Sequence, residues 1–317
     1  MTPSQISPEN MLPRRLMPGD TVAIVAPASP VEPDRFARGV AVIRSMGYEV
    51  RIPDEICLKN GYLAGSDGQR AALLCRMMTD PGISAVFCAR GGFGSMKLLP
   101  LLDYALIRAN PKIFVGFSDI TALVNVLSAR CGWVTFHGPM VSTLADASAR
   151  TLESLAGALS SDAAIEIVAE NPAVVKPGTA SGRVVGGNLA TLCHLLGTGY
   201  EPMLKGHILL MEETGEAPYR IDRMLTQMKL AGYLDGVAGV VLGGFDHCGS
   251  MSEISDLVAA TFQDEDIPIV SGFEIGHGRN NLTVPIGLEA ILDAGRQTLT
   301  FESRESRVVS FESRVGS

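Results

Sequence analysis

Between residues 21 and 127 short apolar runs alternate with amphipathic segments, and this rhythm constrains the fold more than any other feature of the chain. "TVAIVAPAS" (21–29), "YEVRIP" (48–53), "SAVFCARGG" (84–92) and "KIFVG" (112–116) read as strands. The segments between them read as helices. "RFARGVAVIRSMG" (35–47) sets Phe36, Val40 and Ile43 on one face and closes on Gly47. "GQRAALLCRMMTD" (68–80) and the proline-interrupted "SMKLLPLLDYALIRAN" (95–110) follow the same pattern. Buried strands separated by helices imply a parallel sheet covered on both faces. Ligands of such sheets bind at the carboxyl ends of the strands, so chemistry is sought there.

The rhythm is lost over 161–180, "SDAAIEIVAENPAVVKPGTA", which gains proline and glycine and reads as a crossing between domains. The expected division is an N-terminal α/β domain over 1–160, a linker over 161–180 and a C-terminal domain over 181–317. The second half, with "GHILLMEET" (206–214), "AGVVLGGF" (238–245) and "IPIVSGFEIGHG" (267–278), is richer in strands and reads as α+β. A "FESR" at 301–304 recurs at 311–314, too short a repeat for a solenoid, and suggests a terminal strand pair or a frayed end.

Composition removes several function classes. The net charge of −8, with no Lys/Arg run longer than a pair, argues against a nucleic-acid binder. The six cysteines are scattered, and none has metal-ligand spacing with another cysteine or a histidine. Buried reduced thiols are expected, which fits a cytoplasmic protein. No run approaches the roughly 20 apolar residues of a membrane span, and the N-terminus lacks the apolar core of a signal peptide.

At the end of the fourth strand, "VGFSDITAL" places Ser118 between an apolar run and a helix-like one. Gly116 two places earlier resembles a nucleophile elbow, but Ile120 stands where such elbows carry a second glycine. Read locally, Ser118 is more simply an N-cap serine. A nucleophilic serine needs a base, an acid and an oxyanion hole. Of the five histidines, His277 in the glycine-flanked loop "FEIGHGRNN" is the preferred base. His137, ending the strand "WVTFHGPM", is the second choice. "HILLMEETGE" runs a strand into Glu212 and Glu213, of which alternation lets only one face the serine's cleft. The plainer reading of that pair is a solvated strand end. The glycine-rich turns "CARGGFGS" (88–95) and "VVGGNLATL" (184–192) offer backbone N–H groups for an oxyanion or a phosphate.

Six stretches, "ARGGFG", "VGFSDITAL", "FHGPM", "GGNLATL", "LLMEETGEAPYRIDRMLTQM" and "GHGRNNLTVPIG", occur in the order shown by the L,D-carboxypeptidases. The chain resembles that serine peptidase family, which includes murein tetrapeptide carboxypeptidase, over about residues 15 to 300. The resemblance implies a flavodoxin-like parallel-sheet N-terminal domain and a smaller, β-rich α+β C-terminal domain. It implies Ser118 as nucleophile, Glu212 rather than Glu213 as acid and His277 as base, with the N–H groups of Gly92 and Asp119 as oxyanion donors. The implied reaction is release of D-alanine from murein tetrapeptide in peptidoglycan recycling, by a cytoplasmic homodimer without metal or organic cofactor.

Arg90, Arg183 and Arg220 are candidates to meet the substrate carboxylate, and His137 and Asn188 are further substrate-binding candidates. Three alternatives stay open. They are an amidase of the same family acting on peptide–nucleotide antibiotics, an α/β-hydrolase esterase, and a non-catalytic binding protein with the same two-domain cleft. The missing glycine at position 120 weighs against the esterase.

Overall fold

The computed structural model describes residues 10–303. Its strands are β1 (Thr21–Val25), β2 (Glu49–Arg51), β3 (Ala85–Cys88), β4 (Ile113–Gly116), β5 (Thr135–His137), β6 (Ile165–Val168) and β7 (Ala173–Lys176). They continue with β8 (Thr179–Asn188), β9 (Ile208–Thr214), β10 (Gly239–Asp246), β11 (Ile269–Ser271), β12 (Val284–Ile286), β13 (Glu289–Asp293) and β14 (Thr298–Phe301). The first sheet runs β2-β1-β3-β4-β5, all parallel, with β12 added antiparallel beside β5. That is the flavodoxin-like order, as the resemblance implied. The short apolar runs are its strands, and β3 and β4 are buried along their whole length.

The second sheet has eight strands in the order β6-β14-β13-β8-β9-β10-β11-β7. Its centre, β8 to β11, is parallel, and antiparallel strands close both sides. The strand-rich reading of the second half is thus correct. Residues 161–180 supply β6, β7 and the start of β8, so this stretch contributes the outermost strands of the sheet. Phe301 ends β14, whereas the second "FESR" lies outside the described residues.

Two features bring the sheets together. The chain leaves β11 in the second sheet and re-enters the first as β12, so the loop between them crosses from one to the other. The helix Thr121–Cys131 is buried on nearly every side, which explains why its sequence is apolar all round. It is tied to β8 by polar bonds. Asn125 Nδ2 donates to the Gly186 carbonyl at 2.9 Å, and the Gly186 N–H donates to Asn125 Oδ1 at 2.9 Å. The Asn188 N–H donates to Thr121 Oγ1 at 3.0 Å. Buried backbone groups need such partners, and here they fix one sheet's helix to the other sheet's strand.

One apolar core spans both sheets, including Phe114, Leu123 and Phe136 with Ile208, Leu210 and Val270. A second, with Leu209, Met211, Leu225 and Val258, lies on the other face of the second sheet. All six cysteines are free thiols; four are buried, but Cys57 is exposed, contrary to expectation. Among the described residues no helix is long and apolar enough to cross a membrane.

Candidate active site

Ser118 stands just past the carboxyl end of β4, where the chain turns into a single 3-10 turn (Ser118–Ile120) before the helix Thr121–Cys131. Its φ is +63°, a left-handed conformation that costs a non-glycine residue about 1–3 kcal/mol. Phe117 is the N-cap of that turn and Ile120 that of the following helix, while Ser118 Oγ faces His277, so the N-cap reading does not hold. The turn is sharp enough that a Cβ on Gly116 would lie 2.5 Å from Ile120 Cγ2. Ile120 therefore fills the space, and the glycine stands before the serine only.

His277 lies on the loop that crosses from β11 to β12. Its Nε2 is 3.1 Å from Ser118 Oγ, and its Nδ1 is 2.7 Å from Glu212 Oε2. The loop is pinned by Asn281 Oδ1, which accepts the Gly276 N–H at 2.9 Å. Gly276 has φ +107°, and a Cβ there would lie 2.3 Å from Glu212 Oε2. Glycine is thus required on two counts for the imidazole to reach the carboxylate.

Glu212 is fully buried on β9, where it pairs in register with Asn188 of β8. Glu213 is also buried but is spent on structure. It accepts from Asn188 Nδ2, the Ala190 N–H and the Thr214 N–H at 2.8–2.9 Å. Neither glutamate is the solvated strand end that the sequence alone suggests. Burial pushes the Glu213 carboxyl above its ordinary range, against the pull of those bonds.

Burial pulls the His277 pKa down, but the hydrogen bond and charge of Glu212, with Glu213 and Asp246 further off, outweigh it. The net pKa is above the ordinary histidine value. This arrangement holds Nδ1 as donor to the carboxylate and leaves Nε2 to accept a proton from Ser118.

Beside Ser118 is a cavity of about 350 Å³ lined in part by Arg90, Gly91, Gly92, Phe117, Ser118 and His277. Gly92 has φ +106°, and a Cβ there would run into Ser29 Oγ. The Asp119 carboxylate accepts the Ser95 N–H at 2.8 Å, tying the glycine-rich turn to the serine turn. Burial raises that carboxyl's pKa, and the Ser95 bonds oppose the rise. A strained serine, an imidazole and a buried carboxylate in sequence, opening on a cavity, can carry out acyl transfer.

Comparison with known proteins places the chain among relatives. The LD-carboxypeptidase N-terminal domain matches residues 22–138, and the LD-carboxypeptidase C-terminal domain matches 181–292. The chain is 37% identical to a probable murein peptide carboxypeptidase of Bacillus subtilis, over 93% of this chain and 95% of that one. It is 30% identical to the murein tetrapeptide carboxypeptidase of Pseudomonas aeruginosa, over 87% and 94%. The crystal structure of an MccF-like protein from Bacillus anthracis superposes with a TM-score of 0.88 at 28% identity, over 92% and 99%.

The chain belongs to the LD-carboxypeptidase family. It is a serine carboxypeptidase, a hydrolase.

The remaining sequence candidates of this LD-carboxypeptidase fall in different places. Arg90 lines the cavity. Arg183 is paired with Glu289 across β8 and β13, and Arg220 is an exposed helix residue paired with Glu216; neither is on the cavity wall. Asn188 is buried, caps the helix Leu189–Leu195 and holds Glu213. His137 is fully buried behind Phe117, whose ring lies 5.8 Å from it and 4.8 Å from His277. Burial pushes its pKa down to about 4.

Sequence reasoning missed Glu32, Arg35, Met140, Ser142 and Thr143, which complete the cavity wall. Glu32 and Arg35 follow the carboxyl end of β1, and only that position hinted at them.

Proposed function

We propose that this protein releases the terminal D-alanine of murein tetrapeptide by acyl transfer through Ser118. The observation that carries this reading is the continuous chain from Ser118 Oγ through His277 to Glu212, at 3.1 and 2.7 Å. His277 Nε2 takes the hydroxyl proton as Ser118 Oγ attacks the amide carbonyl carbon. Glu212 fixes the tautomer and stabilises the imidazolium that forms. The N–H groups of Gly92 and Asp119 receive the oxyanion, each contributing about 2.7–4 kcal/mol on the scale known for one such donor. His277 then protonates the departing amine, D-alanine leaves, and water hydrolyses the acyl-enzyme by the reverse sequence of proton transfers.

With this reading go a cytoplasmic location, a homodimeric state and a division of the chain near 161–180. The last is supported by the two domain matches, which fall on either side of that stretch.

The test is release of free D-alanine from purified murein tetrapeptide by the wild type and by Ser118→Ala. Loss of release in the variant supports the proposal, and equal release overturns it. Likeness to the MccF-like structure favours one second reading, an amidase acting on peptide–nucleotide conjugates. An aminoacyl-nucleotide substrate, followed by loss of the intact conjugate and cleaved while the tetrapeptide is untouched, selects that reading instead.

A further inference from the structure

The cavity beside Ser118 contains a cation without a counter-ion. Arg90 follows β3, is partly buried, and donates from Nη1 to the Pro30 carbonyl at 3.1 Å. Among the described residues no carboxylate pairs with it, whereas Arg183 and Arg220 each have a glutamate. A partly buried charge without a partner is costly. The Pro30 bond holds one arm of the guanidinium in place, which is a reason for it to persist without substrate.

Arg35, on the helix Pro33–Ser45, reaches the same cavity. It pairs with Asp146 at 3.1 Å, but Asp146 also holds Arg38 at 2.7 Å. Both partners of the Arg35 pair are about half exposed, and such pairs are weak. Arg35 can therefore turn toward an anion in the cavity while Asp146 keeps Arg38. The one acidic residue on this wall is Glu32, whose carboxylate is engaged at the start of that helix. It accepts from the Asp34 N–H at 3.1 Å and the Arg35 N–H at 2.8 Å. With Glu32 capped and Asp146 shared between Arg35 and Arg38, Arg90 is the cation on this wall without an acidic partner among the described residues, in a chain of net charge −8.

We propose that Arg90, assisted by Arg35, is the group that holds the free terminal carboxylate of the residue that leaves. A guanidinium meets a carboxylate with a planar fork of donors, which a terminal amide cannot match. The inference rests on the peptidase reading of the Ser118 site and specifies which residues receive the terminal carboxylate. Arg90 and Arg35 are specificity residues in this account and take no part in proton transfer.

The experiment is calorimetric titration of the Ser118→Ala protein with murein tetrapeptide ending in D-alanine and with the same peptide ending in D-alaninamide. The acid should bind tighter by about tenfold or more, the scale of a hydrogen bond to a charged group. Adding Arg90→Gln should remove most of that preference, Arg35→Gln a smaller part, and Arg90→Lys should keep some of it. Because the Pro30 bond gives Arg90 a structural part too, the acid-to-amide ratio is the deciding quantity. A merely structural role lowers both affinities alike and leaves the ratio unchanged, which overturns the proposal. Equal binding of acid and amide before any arginine is changed also overturns it. The two readings fail separately. Wild-type release of D-alanine with no acid preference removes only the arginine subsite. An acid preference without any release removes only the peptidase reading.

Discussion

Glu212 and Glu213 are neighbours on β9, both buried, and their carboxylates serve opposite faces of the sheet. Glu212 accepts from His277, while Glu213 accepts from Asn188, Ala190 and Thr214. Their amide variants should therefore separate. Glu212→Gln should lower kcat by about 10⁴, the scale seen when the orienting acid of a serine triad is made an amide. Its effect on stability should be smaller than that of Glu213→Gln. Glu213→Gln should leave kcat within a few-fold and cost about 1–3 kcal/mol, because a buried amide cannot accept all three bonds. Steady-state kinetics and urea unfolding on both variants decide this. A large kcat loss confined to Glu213→Gln would reverse the assignment.

The imidazole pair gives a pH prediction with a definite sign. His277 must be neutral to accept the serine proton, and its pKa lies above 6.5 because Glu212 stabilises the charged form more than burial opposes it. The value of kcat/KM should therefore fall on the acid side with a midpoint above 6.5. His137, held down to about 4 by burial, is already neutral there and cannot produce that limb. An acid limb near pH 4 would instead indicate that His137 is the titrating base.

The sequence and the structure agree most closely where local chemistry decides the outcome. The apolar runs became strands of the first sheet in the expected order; β3 and β4 are buried along their whole length and have little freedom of register, while the mostly exposed β2 lies at the sheet's edge. Ser118, His277 and the Glu212–Glu213 pair stand out as polar residues ending an apolar strand or following it through a glycine, but the choice of Ser118 as nucleophile and of Glu212 over Glu213 rests on the family resemblance. What could not be read was contact across the sheets. Nothing local shows that β12 returns to the first sheet, although that crossing carries His277 to within 3.1 Å of Ser118. Arg35 has only its place after β1, and its approach to the cavity depends on how the helix Pro33–Ser45 packs. Asn125 is one polar residue in an apolar helix, and its importance lies in Gly186, 61 residues away.

That Asn125 bridge gives the third prediction. Asn125→Ala leaves the N–H and carbonyl of Gly186 without their partner inside the protein. The cost should be about 2–6 kcal/mol, from two buried groups at about 1–3 kcal/mol each. Since the same helix begins just after Ser118 and the same strand registers Glu212, kcat should fall with stability. Thermal unfolding and D-alanine release on one preparation test both, and an unchanged melting temperature would sink the prediction.

Gly276→Ala isolates the approach of the imidazole to its carboxylate. The new methyl would sit 2.3 Å from Glu212 Oε2 at a φ of +107°, so either the loop or the carboxylate must shift. The loop is held here by the Asn281 bond to the Gly276 N–H and the Gly244 N–H bond to the Ile275 carbonyl, but it opens to solvent at Gly278 and Arg279, whereas the Glu212 side chain has no exposed surface into which to retreat. The loop should therefore move and carry His277 off Ser118. A displacement near 1 Å in such a group costs on the order of 10²-fold in rate. The loss should appear in kcat more than in KM, because Arg90 and the rest of the cavity wall belong to other elements. The acid limb of kcat/KM should also move down toward the ordinary histidine value, since the bond to Glu212 that raises it is weakened. A variant with wild-type kcat and an unmoved pH profile would show that the Glu212–His277 contact is not what sets the rate.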